Sequence, residues 1–386
     1  MMIFALQPLA LGAWLPQIPD VQLRLEMGPA ALSLALLGFP AGLLAALPFG
    51  GRIAAVFGAR KLILFGLPVY LALMPLAALA PGAAWLFAAL ALTGASMALL
   101  ELGLNLMADE IEKSGGKLIM SACHGCWSAG IMGGSLAGAG LAALAMPAGA
   151  AVALTSLVSL PVGIALARGL PLDASSARET VKSEKPQGWL PGKALLAISL
   201  FTFGITMTEG AAADWSGIFL RDEFGSASGA TGLGYAAFAA MVAAGRFAGD
   251  SVKARLGPVA TARLCGALAL AGLAIVLASP SAGAAIAGFA LAGLGVSAAF
   301  PLAVTAAAGL TDRPPPSSVA ILTFIALSGF LVGPPAIGFV AEYFGIRTGL
   351  AMLLPGLAWS LALAGALGDG GARRAAHSNH GAVEHV

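Results

Sequence analysis

Three polar side chains stand inside long apolar stretches of the sequence: Glu101, Asn105 and His124. Glu101 and Asn105 are four residues apart, which places both on one face of a helix. Because an ionisable group in lipid costs on the order of 2.5 to 3.5 kcal/mol even on insertion scales, such residues usually face a cavity or a partner and take part in function. They therefore indicate a site for a substrate or a proton; the alternative is a structural Glu–His hydrogen bond that only tethers two helices.

The segment Gly94–Gly138 indicates that Glu101 and His124 meet. It holds two apolar stretches of about twenty residues, each long enough to cross a bilayer, on either side of a short charged connection, Asp109–Lys117. With a helical rise of about 1.5 Å per residue, both side chains lie roughly 9 to 11 Å from the same membrane surface. We therefore predict that Glu101 and His124 share one hydrogen-bonded site.

The composition places the whole chain in a bilayer. Of its 386 residues, 59% are hydrophobic and 10% are charged, and the mean hydropathy is +0.92, whereas a soluble domain carries about 25% charged residues. The net charge of +2 comes without a basic cluster interleaved with aromatic residues, so we expect no nucleic-acid partner. The sequence predicts a polytopic membrane protein that works as a monomer in lipid.

The three cysteines, Cys123, Cys126 and Cys265, fall in or beside apolar stretches, where we expect packed thiols. The sequence Cys123-His124-Gly125-Cys126 has the residue types of a zinc or thiol site. A zinc site needs about four ligands, and the apolar stretches contain no second Cys/His cluster. We expect neither a metal nor another cofactor.

The apolar stretches predict an all-α integral membrane protein of twelve transmembrane helices. Asp20–Pro29 is predicted to be a polar loop, and Pro301 and the Pro334-Pro335 pair should bend or break the tenth and eleventh helices. Glycine at every fourth residue of the fifth helix, Gly130, Gly134 and Gly138, predicts close approach to a neighbour. The predicted spans are Met1–Pro19, Ala30–Phe49, Leu62–Ala80, Trp85–Ala108, Leu118–Ala145, Ala148–Ala167, Ala194–Leu220, Gly229–Ala248, Val259–Ser279, Ala282–Gly309, Ser317–Val340 and Thr348–Leu367.

A repeated basic loop divides these helices into two pseudo-symmetric six-helix bundles. Similar glycine-bounded loops begin at Gly51 and at Gly245, about two hundred residues apart. The predicted units are an amino-terminal bundle, 1–167, a cytoplasmic linker, 168–193, a carboxy-terminal bundle, 194–367, and a cytoplasmic tail, 368–386. Of the 20 Lys and Arg, only Arg24, Arg221 and Arg347 fall in loops on one side. The positive-inside rule therefore places both termini in the cytoplasm.

The first of these loops resembles the signature loop between helices two and three of the major facilitator superfamily, G-x-x-x-D-x-x-G-x-[RK]-[RK]. The resemblance implies a gating role for both loops, although the position of the family's acid in the first is Ala55. The gating residues it implies are Gly51, Arg52, Gly58, Arg60 and Lys61, with Gly245, Arg246, Asp250 and Arg255 in the second half.

Further motifs resemble the fucose-permease-related branch of that superfamily, with its YbjJ-type bacterial members. Glu101-Leu-Gly-Leu-Asn105 is similar to the E-x-x-x-N of helix four in fucose permeases, whose Glu is implicated in proton-coupled sugar uptake. The stretches 120–128 and 209–216 look like further signatures of the YbjJ type. Fucose permeases also carry an acid in helix one, and the first helix here has Gln7 and Trp14 but no carboxylate.

The seventh span adds two carboxylates. Glu209 lies about 22 Å from the cytoplasmic end, near the middle of the bilayer, and is interpreted as a cavity residue. Asp214 lies about 30 Å in, where either a site residue or an interfacial anchor with Trp215 is consistent with its position. Trp14, Gln7 and Trp127 could stack on or hydrogen-bond to a polyol ring, or only pack.

These residues lead to the hypothesis of a secondary transporter for a small polar solute, a sugar, polyol or inositol derivative such as a rhizopine. Proton coupling is expected because Glu101 and His124 can both titrate. A drug or amphipath exporter of the same fold is the alternative, although the Gly-Pro motif usual in the fifth helix of such exporters is absent. A membrane enzyme or sensor is the third possibility, and no nucleotide loop, nucleophile–base pair or large soluble domain supports it.

Overall fold

The computed structural model describes residues 1–116, 119–171, 191–310 and 313–368, and these residues form only helices and short connections. Most of the predicted linker, nearly all of the predicted tail, and Lys117 in the first hairpin lie outside the described residues. We number the helical rods α1 to α12 and call α1–α6 the N half and α7–α12 the C half.

The N half contains six rods. Two of them are composite, because α1 passes through a 3-10 turn and α2 through a short interruption. The rods are α1 (Met2–Trp14, Leu15–Gln17 and Ile18–Arg24), α2 (Pro29–Leu36 and Gly38–Phe57), α3 (Ala59–Ala78), α4 (Ala83–Gly115), α5 (Met120–Ala143) and α6 (Ala148–Arg168).

The C half contains the other six described rods, and a break at Gly345 separates its last two. They are α7 (Lys193–Phe224), α8 (Ser228–Leu256), α9 (Pro258–Ala278), α10 (Ala282–Val296 and Ala299–Ala308), α11 (Pro315–Leu327, then 329–344) and α12 (346–368). Eight helical stretches of the described chain are long and apolar enough to span a bilayer, one of which includes both α11 and α12. The predicted all-α membrane fold is confirmed.

Two predicted loops are helical. Residues Asp20–Arg24 continue α1, and α4 continues through the predicted charged connection as far as Gly115. Charged residues support this last part of α4, since Lys113 and Asp109 form an i,i+4 ion pair of 2.6 Å on its surface. The predictions were wrong because hydropathy marks where an apolar stretch ends, whereas a helix continues as long as its backbone bonds are made.

The two predicted gating loops are also mostly helical, and each reduces to a one-residue corner. Gly58 separates α2 from α3 and Gly257 separates α8 from α9; both have φ of 78°, a conformation that glycine adopts at little cost. The same backbone conformation at Gly58 and Gly257 is consistent with the predicted repeat of the two halves. The other gating residues lie within helices: Gly51 and Arg52 in α2, Arg60 and Lys61 in α3, and Gly245, Arg246, Asp250 and Arg255 in α8.

Proline explains the break in α10. The helix stops at Val296 and resumes at Ala299, and the ring of Pro301 clashes with the carbonyl four residues earlier, that of Ser297. The predicted bend is confirmed there. In α11 the helix runs through Pro334 and is interrupted at Ser328 instead.

The glycines of α5 pack directly against α1, as predicted. A Cβ atom added at Gly134 would lie 2.2 Å from the carbonyl oxygen of Leu9 in α1, and similar positions at Gly130 and Gly138 would lie 2.1 and 2.6 Å from carbonyl oxygens of that helix. The two backbones are therefore in contact along three turns of α5.

Replacing Gly134 by alanine should consequently separate α1 from α5. Overpacking of this kind typically costs about 1 to 3 kcal/mol, so we expect a clearly lower melting temperature for the purified protein. Gly133 is the matched control, because a Cβ there meets only the Leu9 side chain at 3.7 Å. Equal melting temperatures for Gly134→Ala and Gly133→Ala would contradict this packing.

The described ends of the chain lie at one face of the bundle, which we call the terminal face; the connections after α1, α3 and α5 lie at the opposite face. At the opposite face the halves are bonded to each other. Arg221 of α7 donates to the carbonyl of Pro19 at 2.9 Å and to Oε1 of Gln22 at 2.8 Å, both in α1. Glu342 of α11 accepts a bond of 3.0 Å from the backbone N–H of Ala30 at the start of α2. These bonds join the two halves at the opposite face.

The other two arginines of the opposite face bind helix ends. Arg24 donates to the carbonyls of Ala78 and Ala80, at 2.7 and 2.8 Å, and so caps the carboxyl end of α3. Arg347 pairs with Glu223 at 2.8 Å and donates to carbonyls at the end of α9. Arg24, Arg221 and Arg347, the three basic residues predicted on this side, thus all have structural partners.

Candidate functional site

A cavity of about 270 Å³ lies between the two halves. This volume is close to the lower end of the range of roughly 300 to 1,000 Å³ that is usual for small-molecule sites. Most of its wall is aliphatic or aromatic, with a few ionisable groups. The lining residues are Leu11, Trp14, Leu15, Leu36, Phe39, Pro40, Leu43, Leu44, Leu90, Met97, Glu101, Trp127 and Ile131 from the N half, and Glu209, Gly210, Ala213, Asp214, Tyr235, Leu327 and Phe330 from the C half.

Three carboxylates line this cavity. Glu101 comes from α4, and Glu209 and Asp214 come from α7, so acids from both halves are present. Asp214 lines the cavity, and α7 continues for ten residues beyond it, to Phe224. Its neighbour Trp215 is completely buried in the core.

The basic partner of Glu209 is Arg246 of α8. Its guanidinium donates to the hydroxyl of Ser128 in α5 at 2.7 Å and lies 3.7 Å from the carboxylate of Glu209. The first bond crosses between the halves, and the ion pair links α8 to α7. Both ionic side chains are 24% exposed, and Glu209 lines the cavity.

Sequence reasoning placed Arg246 in a gating loop at the membrane surface. In the structure it lies ten residues before the end of α8 at Leu256, about 15 Å along the helix. The interpretation was wrong because Gly245 and Gly249 were taken as loop residues, whereas glycine is common inside membrane helices. A lone arginine flanked by apolar and small residues was the signal for an intramembrane charge.

Glu101 and His124 do not form the predicted hydrogen bond. Among the described residues neither side chain has a hydrogen-bond partner; the ring of His124 instead stands edge-on to Phe4 of α1, with centroids 5.8 Å apart. Both are near enough to Arg246 to interact electrostatically with its charge.

Two errors explain the missing bond. Because α4 extends to Gly115, Glu101 lies fourteen residues from the end of its helix, while His124 lies only four residues into α5, so their depths differ. In addition, α5 packs mainly against α1 and α8 and only slightly against α4. Consecutive helices were assumed to be neighbours, and here they are not.

The remaining predicted residues fall into two groups. Trp14 and Trp127 line the cavity. Gln7 and Asn105 do not; both amide atoms of Gln7 and Oδ1 of Asn105 are buried without a hydrogen-bond partner among the described residues. Gln7 nevertheless shares a helical face with Leu11 and Trp14, which both line the cavity.

Sequence reasoning also missed two tyrosines. Tyr235 lines the cavity and interacts electrostatically with Glu209, Asp214 and Arg246. Tyr70 of α3 is fully buried beside Glu101, and its hydroxyl has no hydrogen-bond partner in the described part of the chain. The chain has only three tyrosines, so their place in apolar helices was a usable signal. Within the described ranges, no three His, Cys, Asp or Glu side chains come together as metal ligands would.

Residues 1–285 match the model of the Major Facilitator Superfamily. An uncharacterized MFS-type transporter of Yersinia pestis is 31% identical over 342 residues, which cover 88% of this chain and 87% of that protein. Membrane protein MosC of Rhizobium meliloti is 31% identical over 360 residues, 91% of this chain and 85% of the relative.

Solved structures share the same fold. A variant of the nucleoside transporter NupG superposes with a TM-score of 0.76 at 13% identity, over 96% of this chain and 98% of that one. A bacterial homologue of the human lysosomal transporter Spinster, in an inward-facing and occupied conformation, gives 0.67 at 16% identity, over 98% and 95%. The family match, the twelve rods and the cavity between the halves agree, and the chain belongs to the major facilitator superfamily of membrane transporters; it is not an enzyme.

Proposed function

We propose that this chain moves a small polar solute, a sugar, polyol or inositol derivative, across the bacterial inner membrane by alternating access, coupled to protons. The observation that carries the proposal is that one guanidinium interacts electrostatically with acids from both halves. Glu209 pairs with Arg246, and Glu101 from the other half interacts with the same charge. Ionisable groups inside a membrane usually mark the path of a proton or substrate.

This arrangement gives a physical route for coupling. When Glu101 is ionised, its attraction to Arg246 pulls the N half toward the C half at the depth of the cavity. When Glu101 binds a proton, that attraction is lost, and Arg246 keeps only Glu209 in its own half and the hydroxyl of Ser128. Protonation therefore changes the relative free energy of the closed and open arrangements of the two halves, which is the requirement for a linked transport step.

Glu101 and His124 are proposed to act on each other through Arg246. Residues that share a partner typically show coupling of about 0.5 to 3 kcal/mol in a double-mutant cycle, whereas independent ones add within about 0.5. We expect Glu101→Gln and His124→Gln to be non-additive in solute affinity, and the coupling to fall when Arg246 is replaced by methionine. Additive effects in the wild-type background would remove His124 from the mechanism.

The solute class rests on the hydrogen-bonding groups at the cavity and on the motif resemblance. Tyr235 offers a hydroxyl at the wall, and the three carboxylates can accept bonds from hydroxyl groups. We propose that the chain belongs to the fucose-permease-related branch, because Glu101, Trp127 and Glu209 of the similar motifs all line the cavity. NupG is named for nucleosides, which carry a ribose ring, but a likeness at 13% identity supports the fold alone.

We further propose that the terminal face is cytoplasmic. In this proposal residues 1–167 and 194–367 are the two domains that move relative to each other in alternating access. The linker 168–193 joins them, and the tail 368–386 follows. One chain forms the whole cavity, so the proposed working unit is a monomer.

The orientation gives a direct prediction. A cysteine introduced in place of Met2, with the three native cysteines removed, should not react with a membrane-impermeant maleimide in intact cells, because 17 of the 20 basic residues favour cytoplasmic termini. It should react after permeabilisation. A cysteine in place of Glu26, exposed at the opposite face, is the positive control; labelling of Met2→Cys in intact cells would contradict the orientation.

The aliphatic wall of the cavity favours a second candidate, an exporter of amphipathic compounds. Leu11, Leu36 and Leu327 are among many side chains there that cannot bond to a hydroxyl group. A thermal-shift screen of the purified protein against sugars, polyols and amphipathic drugs separates the two. Stabilisation by sugars or polyols that Glu101→Gln alters supports the proposal; stabilisation by amphipaths alone supports the exporter and overturns it.

A further inference from the structure

Asp214 is a carboxylate of the cavity wall that has no basic partner in the described part of the chain. Glu209 is paired with Arg246, and Glu101 interacts with the same guanidinium. Asp214 has no hydrogen bond or ion pair among the described residues, although it lines the cavity. The wall therefore presents more acidic than basic groups.

Tyr235 provides a second and independent sign of a ligand beside Asp214. Its side chain is 7% exposed, it lines the cavity, and its hydroxyl makes no hydrogen bond with the described residues. It lies near enough to Asp214 to interact electrostatically with the carboxylate. A hydroxyl that faces a mostly apolar cavity with no protein partner is satisfied by a ligand or by water.

The surroundings of these two residues are aromatic. Trp14, Phe39, Trp127 and Phe330 line the same cavity as Tyr235. Aromatic rings attract ammonium groups over their faces, by about 0.5 to 2 kcal/mol when the cation is desolvated. A carboxylate, a free hydroxyl oxygen and aromatic walls together are suited to a cationic nitrogen.

We propose that the solute carries a protonated amine, whose N–H groups donate to the carboxylate of Asp214 and to the hydroxyl oxygen of Tyr235. This inference rests on the proposed function and narrows its solute class to small hydroxylated amines. A neutral solute would leave the carboxylate uncompensated inside a mostly apolar wall, and an anionic solute would meet like charges, both of which cost binding free energy.

The test compares solutes that differ in a single group. Purified full-length protein is assayed by thermal shift and by calorimetric titration with glucosamine, glucose and N-acetylglucosamine, and with tetraphenylphosphonium as a lipophilic cation without hydroxyl groups. We expect glucosamine to bind at least tenfold more tightly than glucose or its acetylated form. Asp214→Asn and Tyr235→Phe should remove this preference. Asp109→Asn, a change at an exposed residue of α4 outside the cavity, should keep it.

The outcomes distinguish failure of the amine inference from failure of the proposed transport function. Equal affinity for glucosamine and glucose, or a preference that persists in Asp214→Asn, overturns the amine inference and leaves the polar-solute function standing. Asp214-dependent binding of tetraphenylphosphonium without binding of any sugar supports recognition of a cation but overturns the hydroxylated solute and the proposed function. Binding of no compound overturns the amine inference, and the wider thermal-shift screen of sugars, polyols and amphipathic drugs then tests the function separately.

Discussion

Replacing Arg246 by methionine should abolish transport and destabilise the protein. Methionine keeps most of the aliphatic length of arginine but has no charge, so Glu209 beside the cavity loses its ion pair. The substitution also removes the bond to Ser128 that crosses between the halves. Removing one partner of a buried ion pair costs about 3 to 5 kcal/mol. Because both side chains are 24% exposed, we expect a cost below that range, with a lower melting temperature.

A second substitution distinguishes charge from packing. In the double variant Arg246→Met with Glu209→Gln, the carboxylate that the first substitution leaves unpaired is replaced by a neutral amide. The melting temperature should therefore recover, while transport stays absent. Arg263→Met, at an exposed position of the next helix, α9, is the control for loss of an arginine and should leave stability and transport close to wild type. Transport by Arg246→Met at the wild-type rate would refute the central role of this residue.

The sequence was sufficient to predict an all-helical membrane fold. Apolar stretches of membrane length are a strong signal, because lipid requires internally bonded helices. The same signal could not define where helices end. Asp109 and Lys113 lie on α4 although they are charged, because a helix that has left the apolar layer is still bonded and still stable.

The candidate site was predicted in part. Glu101, Glu209, Asp214, Trp14 and Trp127 all line the cavity, since ionisable and indole groups at mid-membrane depth have few other places to lie. The contacts between them could not be predicted. A helix turns by about 100° per residue, so depth along the chain gives no information on which neighbour a side chain faces. That is why His124 was assigned to Glu101, when it lies against Phe4.

Replacing Glu101 by glutamine should remove proton coupling while the protein remains folded. Glutamine has nearly the same size and can still bind a solute hydroxyl, but it cannot take up or release a proton. Its side chain also cannot attract Arg246 as an ionised carboxylate does. We therefore expect solute-for-solute exchange to continue at near the wild-type rate, and accumulation of solute against its gradient to be lost at every pH. Glu26→Gln, at an exposed acid of the opposite face, is the control and should accumulate solute normally.

The most direct measurement follows internal pH in proteoliposomes that contain a trapped pH-sensitive dye, after a solute found in the binding screen is added outside. With wild-type protein, we expect the solute to change the internal pH, and with Glu101→Gln we expect no pH change although labelled solute still exchanges. A solute-driven pH change of the same size in Glu101→Gln and wild type would contradict the coupling role of Glu101. A wild-type protein that moves neither solute nor protons would contradict the proposed transport function itself.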